Sequence, residues 1–216
     1  TMFRSFVARA ATAAAVTVAS VAAASTTAQA QDRLALTGQV GFSRPGSGNT
    51  VVVDFANAFA NIGSTGLFAG VTPFTTVGTI QDITLSSATA NGLSVVSVPS
   101  FLSIGGYTFT LTSAPTAPAA AFNLGPFAVD PSANGSVATF SLSGTVTGGA
   151  LGATTRNFTG LFNAIFDNNS VADVTGSLAG GTRITNFQAG LTLQPVAVIP
   201  EPSTYALMAA GVGMLG

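Results

Sequence analysis

Histidine, cysteine, lysine and tryptophan are all missing from this 216-residue sequence. Each absence removes a class of chemistry. Without His or Cys there is no conventional zinc site, no thiol nucleophile and no Ser-His-Asp triad. Without Lys there is no Schiff base and no phosphate-loop lysine. Without Cys no disulfide can form, so stability must come from packing and backbone hydrogen bonds. Charge is scarce as well. Charged residues make up 6% of the chain, about a quarter of the share usual for a soluble domain. The six basic residues are all arginine and lie scattered. They cannot form the basic face that nucleic acid requires, so no nucleic-acid partner is expected. No cofactor is expected either.

What is present falls into three parts: residues 1–30, 31–198 and 199–216. At the start, Arg4 and Arg9 precede an apolar, Ala-rich stretch from Ala10 to Ala24. Ser25, Thr26 and Thr27 then lead into Ala28-Gln29-Ala30. A positive region, an apolar core and a small-x-small site in that order make a secretory signal peptide, with Gln31 as the expected first mature residue. Signal peptidase and the export machinery are therefore expected partners. The apolar run is mostly Ala and ends in a cleavage site, so it is not read as a permanent membrane span.

The middle part reads as β. Leu34, Leu36, Val40 and Phe42 alternate with small or polar residues, and so do Val51, Val53, Phe55 and Phe59. The same period of two places Tyr107, Phe109 and Leu111 on one side, then Phe140, Leu142 and Val146. It recurs at Phe158, Phe162 and Phe166, and at Phe187, Ala189, Leu191 and Leu193. This is the signature of strands with one dry and one wet face. RPGSGN, NIGSTG, APTAPA, DPSANG and TGGALGA supply turn chemistry between them. No amphipathic helix is apparent in this part. A parallel β-helix would show a fixed repeat length, which is lacking. An outer-membrane barrel would turn lipid-loving residues outward, whereas the outward positions here are Thr, Ser, Asn and Gly. The pattern predicts an all-β domain, an antiparallel sandwich of about eight to ten strands, flanked by an N-terminal signal helix and a C-terminal apolar helix. Its neutral hydroxyl exterior suits a hydrated polysaccharide setting.

Two sets of residues in this part invite a site. Asp167, Asn169 and Asp173, in the stretch DNNSVAD, carry oxygen ligands at a spacing that could hold Ca²⁺. They lack the Gly and terminal Glu of an EF-hand loop, and a polar loop joining two strands is the plainer reading. A glycan hydrolase would need two nearby carboxylates, and Asp54, Asp82, Asp130, Asp167 and Asp173 are the candidates. Asp54 and Asp82 are expected in or beside strands, and Asp130 in a turn. With no Trp and two Tyr, the surroundings usual for such a site are thin, and catalysis is not expected.

The last part opens on Ile199-Pro200-Glu201-Pro202. Each Pro fixes its own φ and pushes its predecessor into extended geometry. The result is a short stiff stalk of the kind that processing clefts bind by strand-like addition. Ser203 suits a helix N-cap and Tyr205 a membrane interface. The apolar run from Tyr205 to Gly216 has 12 residues and would extend about 18 Å as helix against roughly 30 Å of hydrocarbon.

Pro200, Glu201, Pro202 and Ser203 followed by Tyr205-Ala206-Leu207 and a Gly-bearing apolar run resemble a PEP-CTERM sorting signal. That family's signal comprises the Pro-Glu-Pro motif, a transmembrane helix and a terminal arginine cluster, in exported proteins of Gram-negative bacteria that make exopolysaccharide. The resemblance covers the last 19 residues, Val198 to Gly216. No basic cluster follows Gly216 in the sequence: either the chain is truncated in mid-helix, which the short run favours, or the third part is absent. The resemblance implies processing by an exosortase, transient anchoring in the inner membrane, and delivery to the cell surface or extracellular matrix. The expectation is a structural or adhesive component associated with exopolysaccharide and biofilm. A secreted carbohydrate-binding module and an Asp-dependent glycan hydrolase are the alternatives.

Overall fold

The computed structural model describes residues 31–46 and 48–195. Ala28 and Ala30 of the expected cleavage site, both expected terminal helices, and Pro200, Glu201, Pro202 and Ser203 lie outside the described residues.

Eleven strands account for most of the described chain. They are β1 (Arg33–Ser43), β2 (Thr50–Ala60), β3 (Val77–Ile80), β4 (Ile83–Ser86), β5 (Val98–Ile104) and β6 (Tyr107–Ser113), followed by β7 (Phe122–Leu124), β8 (Phe127–Ser132), β9 (Gly135–Gly148), β10 (Arg156–Asp167) and β11 (Arg183–Leu193). One helix, α1 (Val171–Leu178), sits between the last two. All strand pairs are antiparallel.

The all-β, antiparallel expectation holds, but the sandwich does not. The order β10-β11-β1-β2-β3-β5-β6-β9 closes on itself, because β9 also pairs with β10 from Gly135 to Val146. The domain is an eight-stranded barrel carrying three further strands. Alternation cannot tell a barrel from a sandwich, since each has one buried face per strand; closure depends on which strand β10 meets. Two long strands make the closure workable by serving two partners each along one edge. The first half of β2 bonds β4 and its last residues bond β3. The first half of β9 bonds β8, which carries β7 at its edge, and the second half bonds β6.

The interior is filled by phenylalanine, in three layers counted along β10. Phe166 meets Phe42, which meets Phe127 at a centroid distance of 5.3 Å. Phe162 lies at the middle, stacked on Phe140 at 5.0 Å and packed against Phe55, Phe101 and Phe187. Phe158 meets Phe109 edge-on at 5.2 Å, and Phe68 and Tyr107 complete that end. Side chains fill small barrels of this strand number, so this one is a packed core. Each buried Phe contributes about 1.5–3 kcal/mol. The polarity is apolar within and Thr, Ser and Asn without, the reverse of a wall that faces lipid. Among the described residues, no helix is long and apolar enough to cross a membrane.

Three local expectations are corrected. Phe59 does not share the buried face of Val51, Val53 and Phe55. Gln39 pairs with Asn57 and Val40 with Phe55, which leaves Ala56 as a bulge. The extra residue shifts the phase, so Ala58 and Ala60 turn inward instead. Asp130 lies in β8 rather than in a turn, and the turn is Ala133–Asn134. Pro131 is tolerated there because β7 covers only the first three residues of β8, leaving the proline on an open edge. A helix is present where a polar loop was expected. Ser170 and Asp173 form a reciprocal capping box at the start of α1. Val174 and Leu178 of α1 enter the core.

Candidate functional site

The barrel wall is chemically divided. Outward positions of β5, β6 and the second half of β9 carry Ser and Thr, such as Thr108, Thr110, Ser141, Ser143 and Thr145. Those strands contain no Asn or Gln. The strand amides gather instead on β1, β2, β10 and β11: Gln39, Asn57, Asn157, Asn163, Asn186 and Gln188. Asn123 of β7 is the exception. Asn is disfavoured in strands, so its concentration on four neighbouring strands calls for a reason beyond folding.

Register turns these residues into rows. Asn163 stands opposite Gln188, and Gln188 opposite Thr37. Thr139 extends that row on β9, and Phe59 extends it on β2. One step along, Ile165 faces Asn186, Asn186 faces Gln39, and Gln39 faces Asn57. Some members are oriented by neighbours. The Thr139 hydroxyl donates to Asn163 Oδ1 at 3.1 Å, and the Thr37 hydroxyl donates to the Phe187 carbonyl at 3.1 Å. That bond fixes the Asn163 oxygen toward Thr139 and leaves the NH₂ group as the side chain's donor. Two shallow grooves, of about 390 and 640 Å³, lie on this wall and share Gln188. Charge is confined to their far ends, with Arg33 at one and Asp167 and Arg183 at the other. Ile165 is an exposed member of the second row, and Leu161 and Ile184 are exposed one step beyond the two rows on either side.

The residues singled out from sequence are placed elsewhere. Gln31, the expected first mature residue, is exposed, and its carbonyl accepts from the Thr65 hydroxyl at 2.7 Å. Asp173 Oδ2 accepts from both the hydroxyl (2.6 Å) and the amide (3.0 Å) of Ser170. Those bonds, the hydroxyl's first, hold its carboxyl below the ordinary 3.8, with nearby Arg183 adding to the effect. Asn169 Oδ1 accepts from Arg183, and its amide donates to the Asp167 carbonyl. Of the candidate Ca²⁺ ligands, Asp173 thus serves the helix start, and Asn169 ties Arg183 to the end of β10. Among the described residues, no three acidic, His or Cys side chains gather where a metal could be held.

Of the five Asp read as possible catalytic acids, Asp54 and Asp82 fall at adjoining backbone positions, each next to the Val53–Ile83 pair. Asp82 lies in the corner between β3 and β4, where β2 changes partner, and its Oδ1 accepts the Phe55 amide at 2.8 Å. It therefore fills the gap in the ladder beside Asp54. Asp130 Oδ1 accepts the Ala121 amide at 2.9 Å.

The amide rows were missed from sequence, although Gln39, Asn163, Asn186 and Gln188 sit at wet positions of the alternating runs LTGQVGF, LFNAIF and ITNFQAG; Asn57 keeps the period of Phe55 and Phe59 and leaves their face only because of the Ala56 bulge. So was Phe74, which is 57% exposed and has φ +59°.

Fold and site together define a closed, neutral, phenylalanine-filled antiparallel barrel with an amide-bearing wall. No protein-family model matches the chain, and neither curated proteins nor solved structures give a match.

Proposed function

We propose that this is an exported protein whose barrel serves at the cell surface or in the extracellular matrix as a structural or adhesive component. The segment Pro200-Glu201-Pro202-Ser203, whose prolines favour extended backbone, would suit capture by a processing enzyme of the exosortase kind. The apolar run behind it would hold the protein transiently in the inner membrane, and residues 1–30 would direct it there. The observation that carries the reading is the neutral amide wall. It offers paired donors and acceptors to hydroxyl-rich polymer and almost no charge to anything else. A cysteine-free, closed barrel also suits exposure outside the cell, since it has no thiol to oxidise and no long free sheet edge among its eight wall strands.

The test is fractionation of a Gram-negative, exopolysaccharide-producing host with an exosortase, expressing the natural gene. The expected result is protein in the matrix fraction, shifted to the inner-membrane fraction when Pro200, Glu201 and Pro202 are all replaced by Ala. Equal distribution of the two forms would sink the sorting role.

A further inference from the structure

We propose that the amide wall and the apolar edge beside it form one binding track for an uncharged polysaccharide chain, laid across the strands rather than along them. This rests on the matrix reading above and adds the ligand class and the residues that contact it.

The track is the row Thr139–Asn163–Gln188–Thr37–Phe59, which Val77 of β3 continues opposite Phe59. At the usual spacing between strands, its five steps cover about 24 Å of surface. No member is ionisable. A polyanion would find attraction only at the distant ends, where Arg183 is already engaged by Asn169. An uncharged chain of hydroxyls is what the row complements: each amide can donate and accept at once, as neighbouring hydroxyl groups require.

A sugar ring also has an apolar face of C–H groups, and the end of the track supplies a surface for it. Phe59 is half-buried, Val77 is 62% exposed, and Ile62, two residues past the end of β2, is 72% exposed. Phe74 joins them, because its amide donates to the Ala60 carbonyl at 2.8 Å. Its backbone is left-handed, at φ +59°. Glycine would adopt that conformation freely, whereas an aromatic residue is strained there. Nor is the ring recovering the cost by burial, since it is largely in water. Strain kept at an exposed aromatic residue points to use of the ring itself.

The experiment is affinity electrophoresis of the purified full chain through gels containing hydroxyethylcellulose, dextran or alginate. Retardation by at least one of the two neutral polymers and none by alginate is expected, with no change between low and high NaCl. Asn163→Ala with Gln188→Ala should weaken retardation about tenfold, the loss of roughly one to two hydrogen bonds. Phe74→Gly should weaken it too while melting at the same or a higher temperature, which separates loss of the ring from loss of the fold. No retardation by either neutral polymer overturns the track, as does salt-sensitive retention by alginate. A stable dimer that Gln188→Arg converts to monomer would also overturn it, by assigning the wall to a second copy of the chain. Matrix localisation without retardation would remove the track and leave the sorting role standing. Retardation without matrix localisation would do the reverse.

Discussion

Asp32 and Arg156, 124 positions apart in sequence, meet at 2.7 Å. The pair joins four segments at one end of the barrel. Asp32 Oδ2 accepts from Arg156, its Oδ1 accepts the Leu67 amide at 2.9 Å, and its carbonyl accepts the Leu193 amide at 2.9 Å. Arg156 also donates to the Gln194 carbonyl. The Arg156 and Asp32 side chains are largely shielded, at 14% and 20% exposure respectively, so the pair counts for more than a surface ion pair. Asp32→Ala and Arg156→Ala should each cost about 2 kcal/mol, the range for hydrogen bonds to charged groups. Arg156→Lys should recover less than half of that, since an ammonium cannot replace a planar fork that serves two acceptors. Urea unfolding of the three variants measures this. A cost within error of zero for Asp32→Ala would refute it.

The same aspartate constrains a glycine. Gly66 has φ +61°, and a Cβ built on it would stand 2.1 Å from Asp32 Oδ1. Gly66→Ala therefore meets both a strained backbone and a clash, and should cost about 1–3 kcal/mol. Relieving the clash should relieve part of the cost. Gly66→Ala should be less damaging in an Asp32→Ala background than alone, giving a non-additive cycle of at least 0.5 kcal/mol or so. Strict additivity in chemical denaturation would show that Asp32 and Gly66 do not compete for that space.

Phe162 tests the aromatic core. It is fully buried and packs against four other rings across the barrel. Phe162→Ala should cost about 3–5 kcal/mol, a large share of the 5–15 kcal/mol of a typical domain. Phe158→Ala, nearer one end, should cost less, because the loop carrying Phe68 can settle into the space more readily than strands can. Denaturation midpoints for both variants, compared with the parent, give the order; a larger loss at Phe158 would reverse the layer assignment.

These relationships differ in how far the sequence reveals them. Burial along single strands is legible: Leu34, Leu36, Val40 and Phe42 all turn inward as their alternation requires. Phe59 escapes because one bulged residue, Ala56, changes the phase, and nothing local marks it. β3, β4 and β7 are three or four residues long and too short to show a period. Asp130-Pro131-Ser132 has turn composition, yet runs as strand because its outer edge is unpaired. The α1 start was written in Ser170 and Asp173, three apart, but Gly176 and the β-branched Val171, Val174 and Thr175 mask the helix behind it. Barrel closure is illegible, because it depends on β10 choosing β9 as a partner. The amide wall fails for the same reason. Asn163, Gln188 and Gln39 can each be read as outward, but only register across β10, β11 and β1 puts Asn163, Gln188 and Thr37 in line.

The start of α1 should be sensitive to acid. The Asp173 carboxylate accepts two bonds from Ser170 on folding and donates none, so its charged form is the one favoured. The folded carboxyl titrates below the ordinary 3.8. For a group depressed in this way, the contribution to stability is present in full above the unfolded value and is lost as pH falls through the folded one. The capping bonds should therefore be unaffected between neutral pH and about pH 5, and should fail in strongly acidic solution. Asp173→Asn should remove this pH dependence, and Ser170→Ala should return the carboxyl toward 3.8 because it deletes the hydroxyl that contributes most. An NMR titration of the Asp173 carboxyl in the parent and in Ser170→Ala reads both. A midpoint at or above 3.8 in the parent would mean that the capping box does not hold in solution, and Val174 and Leu178 alone would then have to fix α1 against the barrel.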